Sequence, residues 1–244
     1  MIIYGKNPVR EFLLQPSSNI LEVFISSEIK RADISDLLRL AEGRGVKITY
    51  LSRETLSNTA RTTSHQGVAA RLSDYVYVGV SEILGKAKER GENLLVVILD
   101  HLEDPQNFGA IIRSVYVLGA HGIIIPKDRS VSVTPAVVKA SAGTASAVPI
   151  SMVTNIARVM TELKESGIWI LGADPSADKS IADQDLVGLD IALVIGSEGK
   201  GLKRLVREEC DFLVSIPTIG AASLNASVAA GIMIYEIQRQ RQRR

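Results

Sequence analysis

The sequence predicts an α/β protein in two parts: a small leading α/β unit and a larger one built on a mostly parallel sheet with helices on both faces. Three observations predict it. Strand-like runs such as LLVVILD (94–100), IWILGAD and IALVIGSE are apolar on both faces, as strands covered from both sides must be. Segments of helical spacing separate them. A chain of 244 residues, 46% of them hydrophobic, suffices for one large core or two smaller ones.

Taken in order, LEVFIS (21–26) and VKITYLS (46–52) read as strands. Between them DISDLLRLAEGRG reads as an amphipathic helix with Asp33 as its N-cap and Gly43 as its stop. The segment SDYVYVGVSEILGKAKERGEN then loses periodicity and gathers charge and glycine, which places a linker at 75–92 between a first domain, 1–74, and a second, 93–244. From there the alternation is regular. LLVVILD leads into a helix opened by Asp104 and Pro105, then GIIIP, a helix begun by Pro135, and the helix NIARVMTELKESG. IWILGAD, IALVIGSE, the short helix GLKRLVREE, DFLVSIP and a last helix SLNASVAAGIMIYEIQRQ complete the chain.

The formal net charge of +1 does not by itself announce a nucleic-acid binder. Residues 1–72 carry ten Lys or Arg against seven Asp or Glu, and the chain ends QRQRQRR with Arg239, Arg241, Arg243 and Arg244. That tail reads equally as a solvated helix end, where cations favour the helix dipole, or as a phosphate contact. The single Cys210 excludes an internal disulfide and a thiolate metal site. His65, His101 and His121 are scattered, and only one acid-rich stretch, Glu103-Asp104, adjoins any of them, so no metal is expected. No apolar run reaches the roughly 18 residues a membrane span needs, and MIIYGKNPVR is not a leader peptide; the chain is read as cytoplasmic with no membrane partner.

Ligands of parallel sheets bind outside the carboxyl ends of the strands. Three ends stand out: LDHLEDPQNFGAIIRS, VIGSEGKGL and SIPTIGAASLNASVA. Neither a phosphate loop nor a dinucleotide fingerprint is present, and the glycine loop 196–201 alone signals only close backbone approach. In the helix after Asp104, Phe108, Ile111, Ile112 and Val115 form an apolar stripe. Arg113 lies off it, and its side chain leans back over Gly109 toward Asn107 and the free amides of the first turn, an anion-friendly corner. The plainer reading is a surface arginine over a helix-packing glycine, with a capping Asn.

NFGAIIRS, VIGSEGKGL and IPTIGAASLNASVA, in that order, resemble the three signature motifs of the SpoU (TrmH-like) RNA ribose 2′-O-methyltransferases of the SPOUT superfamily, over about residues 94–240. GKNPVREFL and HQGVAA are similar to the leading L30e-like substrate-binding domain of the subgroup that methylates large-subunit ribosomal RNA. The resemblance implies S-adenosylmethionine as methyl donor, a deep trefoil knot in the C-terminal SPOUT domain, and a homodimer. It implies that Gly196, Ile216, Leu224 and Ala173 contact the cofactor, and that Arg113 is the catalytic arginine with Asn107, Glu198, Ser223 and Asn225 around it. In the first domain it points to Lys6, Asn7, Arg10, Arg61 and His65 for RNA. PTIGAASLN is one residue shorter than the family's common loop.

The implied reaction needs a positioned hydroxyl and loss of its proton, with no metal or redox group. A guanidinium is a poor base, so Arg113 is assigned to binding the neighbouring phosphate and stabilising oxyanion charge, with a phosphate oxygen, Glu198 or water taking the proton. Each residue also has a structural reading. Glu198 suits the cap of a helix near Gly201, Ser223 and Asn225 suit N-caps, and Pro8 suits a first helical position. The expected substrate is a guanosine of 23S rRNA; transfer RNA is the alternative, and a non-catalytic RNA-binding assembly factor the alternative of another class.

Overall fold

The computed structural model describes every residue except Ser17, Asn19, Ala221, Ala222, Arg243 and Arg244. The last two arginines of the basic tail and two residues of the shortened loop therefore lie outside the described residues. The chain divides into two units, Met1–Val76 with Val133–Ala147, and Tyr77–Ser132 with Val148–Arg244.

The first unit contains β1 (Ile2–Tyr4), α1 (Lys6–Leu14), β2 (Ile20–Ser26), α2 (Ser35–Gly43), β3 (Lys47–Leu51), α3 (Arg53–Ala60) and β4 (Val68–Leu72). Its sheet runs β1-β4-β2-β3, with β2 and β3 parallel and the other pairs antiparallel. Asp33 is not the cap of α2. It lies in a 3₁₀ turn, Arg31–Ile34, that leads into the helix, and the capping position falls to Ile34, which has no side-chain acceptor. A tightened entry turn of this kind takes over part of a cap's work. The Arg44 guanidinium gathers the carbonyls of Phe12, Leu13 and Gln15 at 2.8 to 3.1 Å. It thereby supplies donors to the carbonyls that the end of α1 leaves unpaired.

The second unit begins with a helix where the sequence reads as linker. α4 (Val80–Arg90) buries Ile83 and Ala87 in the main core beside Leu94, Val96 and Met160. Val80 and Leu84 pack half-buried beside them, so the stripe has helical spacing, and the charges and Gly85 between its members mask it in the sequence. There follow β5 (Leu95–Asp100), α5 (Pro105–Leu118), β6 (Gly122–Pro126), β7 (Ile150–Val153) and α7 (Ile156–Glu165), while α6 (Pro135–Ala140), between β6 and β7 in the chain, belongs to the first unit. β8 (Trp169–Ala173), β9 (Ile191–Gly196), α8 (Arg204–Glu208), β10 (Phe212–Val214) and α9 (Ala226–Arg241) complete it.

The six strands run β10-β8-β9-β5-β6-β7 and every pairing is parallel, the mostly parallel sheet the apolar runs predict. The chain lays β5, β6 and β7 outward, then returns to build β8, β9 and β10 on the other side of β5. The order thus reverses between β5 and β9. In open α/β sheets such a switch point opens the crevice in which ligands bind.

One stretch departs from the expected boundary. Residues 133–147, assigned from the sequence to the second domain, pack within the first unit. Val137, Val138 and Ala145 are buried there, and Tyr75 donates to the Ala145 carbonyl at 3.1 Å. Gly143, at φ +92, passes so close to α1 that a Cβ would stand 2.7 Å from Glu11 Cβ and 2.9 Å from Pro8 Cα. Helical spacing marks α6 but cannot name the surface it packs against.

Candidate active site

The site is built where β5 and β9 end side by side, Asp100 standing opposite Gly196 in the register. Asp104 caps α5, accepting from Gln106 N at 3.2 Å and Asn107 N at 3.1 Å, with Pro105 at the first helical position. That cap fixes the first turn and with it Asn107, which is only 7% exposed. A buried amide requires partners. Asn107 Nδ2 donates to Glu198 Oε1 at 2.8 Å, and Asn107 Oδ1 accepts from Asn225 Nδ2 at 3.0 Å. Asn225 Nδ2 also donates to Glu198 Oε1 at 2.5 Å, closing a triangle. One residue from each of the three strand ends is thereby joined to the other two.

Glu198 reaches the triangle from a tight loop. Ser197 and Gly201 exchange backbone hydrogen bonds at 3.2 and 2.9 Å, folding 197–201 back over the end of β9. Gly196 makes this possible, because a Cβ there would lie 2.3 Å from the Gly201 carbonyl carbon. Glu198 is therefore not a helix cap. The cap reading of Asn225 is correct and incomplete: its Oδ1 accepts from Ser227 N and Val228 N at 2.9 and 3.3 Å, while its amide nitrogen serves the triangle.

Ser223 and Arg113 are exposed, and their side chains make no hydrogen bond among the described residues. Arg113 stands six residues along α5 from Asn107, roughly 9 Å by helical rise. Ala173 and Ile216 are half-buried, at the end of β8 and just beyond β10, and Leu224 is 38% exposed. β9, β8 and β10 are neighbours, so Gly196, Ala173 and Ile216 lie along one rim of the sheet. Ile219, in the same loop as Leu224, is fully exposed.

Two acids at strand ends escaped the sequence reading. Asp100 is completely buried, accepting from His101 Nδ1 at 2.5 Å and from Lys203 N at 2.6 Å, so it fastens the loop after β9 to the end of β5. Asp174, just after β8, accepts from Arg207 Nε at 2.6 Å and Ser176 N at 2.8 Å. Burial pulls its carboxyl upward, but the bonds from Ser176 and Arg207 outweigh this and hold it below the ordinary range. An acid ending an apolar strand, as in LLVVILD and WILGAD, was the available signal.

The candidate RNA residues of the first unit do not form one set. Lys6 opens α1, its N–H donating to Gln66 Oε1 at 3.1 Å, and Asn7 beside it is exposed. Arg10 is held by Asp36 at 2.8 Å and Glu11 at 3.3 Å, tying α1 to α2. Arg61, at φ 53, ends α3 with its side chain exposed. His65 is a correction. It is 1% exposed, Nδ1 accepts from Gly67 N and Nε2 pairs with Ser57 Oγ, each at 2.9 Å. A ring with both nitrogens engaged in the interior has no face for a phosphate. Among the described residues no group of three His, Cys, Asp or Glu can hold a metal, and no helix is long and apolar enough to cross a membrane.

Residues 94–235 match the family described as SpoU rRNA Methylase, and residues 2–78 match the one described as RNA 2′-O ribose methyltransferase substrate binding. YacO of Bacillus subtilis (strain 168), named as a TrmH-family tRNA/rRNA methyltransferase, is 42% identical, covering 98% of this chain and 95% of its own length. The 23S rRNA (guanosine-2′-O-)-methyltransferase RlmB of Coxiella burnetii is 41% identical, covering 98% of this chain and 96% of itself. Among solved structures, the SpoU methyltransferase AviRb of Streptomyces viridochromogenes in complex with AdoMet superposes with a TM-score of 0.83. It is 26% identical, covering 98% of this chain and 90% of that one.

Proposed function

Since this chain belongs to the SpoU rRNA methylase family, we propose that it methylates the ribose 2′-hydroxyl of a guanosine in 23S rRNA, acting as a homodimer. It is an RNA 2′-O-ribose methyltransferase that uses S-adenosylmethionine. The observation that carries the site assignment is the Asn107–Glu198–Asn225 triangle, which brings all three motifs to the switch point of the sheet. The guanosine assignment rests on likeness to the Coxiella enzyme over nearly the whole chain, leading domain included.

The residues present suit the cofactor. Ala173, Ile216 and Leu224 give a partly open apolar rim for an adenosine, and Gly196 lets the loop 197–201 close beside it. Exposed Ile219 and Leu224 are the unsatisfied apolar surface that such a ligand covers. Held there, S-adenosylmethionine would supply an electrophilic methyl group for the ribose oxygen, with its thioether as the leaving group. Arg113, free of other partners, holds the phosphate next to the target ribose and stabilises negative charge on the attacking oxygen. Asn107 and Asn225 fix the Glu198 carboxylate, which stands with a phosphate oxygen and water as the groups that take the hydroxyl proton. Ser223, exposed at the mouth, positions the hydroxyl.

Dimer formation is supported by a row of exposed apolar residues on the packed helices α5 and α9: Tyr116, Val117, Val228, Ile232 and Tyr235. A threaded C-terminal segment accords with α9 being tied back to the stretch before β9, where Leu186 N donates to Gln240 Oε1 at 3.2 Å. The test is a map of ribose methylation across ribosomal and transfer RNA in cells with and without the gene. Loss of one guanosine mark in 23S rRNA is expected; loss confined to transfer RNA overturns the substrate, and no lost mark overturns the activity.

A further inference from the structure

A cleft of about 400 Å³ opens between the ends of β5, β6 and β7 and the start of α8, lined among others by His101, Asp128, Asn155, Lys203 and Arg204, with Ile156 and Val206 as apolar wall. Nothing in the triangle or the apolar rim uses it. Its construction is specific. His101 sits at φ 58, a left-handed conformation that a side chain other than glycine rarely adopts, and Arg129, next to Asp128, sits at φ 53. Such strain persists where the surroundings enforce it, and it concentrates at ligand sites. Here the enforcing group is Asp100, fully buried, which accepts from His101 Nδ1 at 2.5 Å and from Lys203 N at 2.6 Å. With Nδ1–H committed to Asp100, His101 Nε2 is left for a ligand.

The polar groups of the cleft are equally uncommitted. The Lys203 ammonium and the Asp128 carboxylate have no partner among the described residues, and Arg204 pairs only with exposed Glu208 on its own helix. Asn155 spends its oxygen capping α7, accepting from Arg158 N at 3.1 Å, which leaves its Nδ2 donor. Two cations beside an apolar wall, with a carboxylate and an amide donor facing the same space, match a nucleotide: a phosphate, a flat ring and a polar base edge. The cleft also adjoins the site, since His101 follows Asp100, the register neighbour of Gly196, on a strand about 5 Å away.

We propose that this cleft is a nucleotide subsite, seating a residue of the RNA strand that flanks the target ribose, with Lys203 and Arg204 on its phosphate and Asp128, Asn155 and His101 on its base. The proposal rests on the reading of RNA as substrate.

Filter binding of 23S rRNA and transfer RNA transcripts to the full chain tests it, alongside calorimetric titration of S-adenosylmethionine. The variants are Lys203→Ala with Arg204→Ala, Asp128→Asn, and His101→Gly, the last of which keeps the left-handed backbone while removing the ring. Lys88→Ala, at the far end of α4, is the charge control. RNA affinity is expected to fall about ten-fold or more in the double variant and several-fold in the other two, with cofactor affinity and the control unchanged. Wild-type RNA affinity in all three, or a wild-type chain that holds neither transcript, overturns the subsite. Failure of the wild-type chain to take up cofactor or transfer methyl groups removes the enzymatic reading instead, and a loss of RNA binding in the variants then still sustains the cleft.

Discussion

Asn225 and Glu198 meet at 2.5 Å through the amide nitrogen of the one and Oε1 of the other. The residue that caps α9 is thus also a wall of the candidate active site, so folding of the last helix and assembly of the site are one event. Substitutions that separate the two functions are informative. Asn225→Asp keeps the capping oxygen but replaces the donor with a second carboxylate beside Glu198. We expect the cap to be kept, stability to fall only through repulsion between the two carboxylates, and methyl transfer to be reduced by about two orders of magnitude or more, on the order of a lost preorganised donor. Asn225→Ala removes both, with an added stability loss of about 1 kcal/mol from the cap. Thermal melts and single-turnover transfer read the two separately.

Arg113 carries the charge assigned to the transition state. Arg113→Ala and Arg113→Lys are both expected to slow single-turnover transfer by about 10²-fold or more, because a point charge does not reproduce the guanidinium fork. Cofactor binding by calorimetry stays unchanged. Near wild-type rates in both variants with normal RNA binding remove Arg113 from the chemistry.

Gly196 is predicted to tolerate no side chain. An alanine Cβ would stand 2.3 Å from the Gly201 carbonyl carbon, so the loop 197–201 must open. Overpacking of this kind costs about 1 to 3 kcal/mol. Gly196→Ala is expected to lower the melting temperature and to abolish cofactor heats, and a variant with unchanged heats argues against the loop as a cofactor wall.

Stability should fall in mild acid. His65 and His121 are buried, and each accepts a backbone N–H at Nδ1, from Gly67 at 2.9 Å and from Leu95 at 3.0 Å. Burial, helped by the nearby charges of Arg53 and Arg90 respectively, lowers both below the ordinary imidazole value. The unfolded chain therefore takes up protons from about pH 6.5 downward while the folded chain resists them. Urea midpoints are expected to be level above neutrality and to fall as pH drops below that value. His121→Gln, which cannot be protonated, should show a shallower fall.

The Cys210 thiol should be inert in the native state. Burial, and secondarily Asp211, push it up to about 12, so almost no thiolate exists at mildly alkaline pH. Iodoacetamide is expected to label it only when urea is present, as mass spectrometry reads; ready native labelling implies that α8 opens.

How much of this was legible in the residues depends on the range of the signal. The parallel sheet followed from local hydrophobicity, and the triangle residues from three short motifs whose order identifies the site. The bond pattern did not. That Asn225 spans from a cap to Asn107 is a contact across 118 residues, which no spacing encodes. His65 misled because a histidine beside a glycine turn looks the same in sequence whether its ring faces solvent or, as here, is sealed between Ser57 and Gly67. Asp33 misled because a 3₁₀ entry turn shifts a helix start by one residue without changing its composition. The helix α4 was hidden because its stripe, Val80, Ile83, Leu84 and Ala87, is interleaved with charged residues and Gly85.

Gly143 and its neighbours give the first unit a piece drawn from far along the chain. On the ribosome, residues 1–76 emerge with a bare flank on α1 and must wait until residue 147 has been made before that flank is covered. Nor can evolution or an engineer lift the leading unit out as a single cassette: cut at residue 76, it leaves behind the strap that shields Pro8 and Glu11.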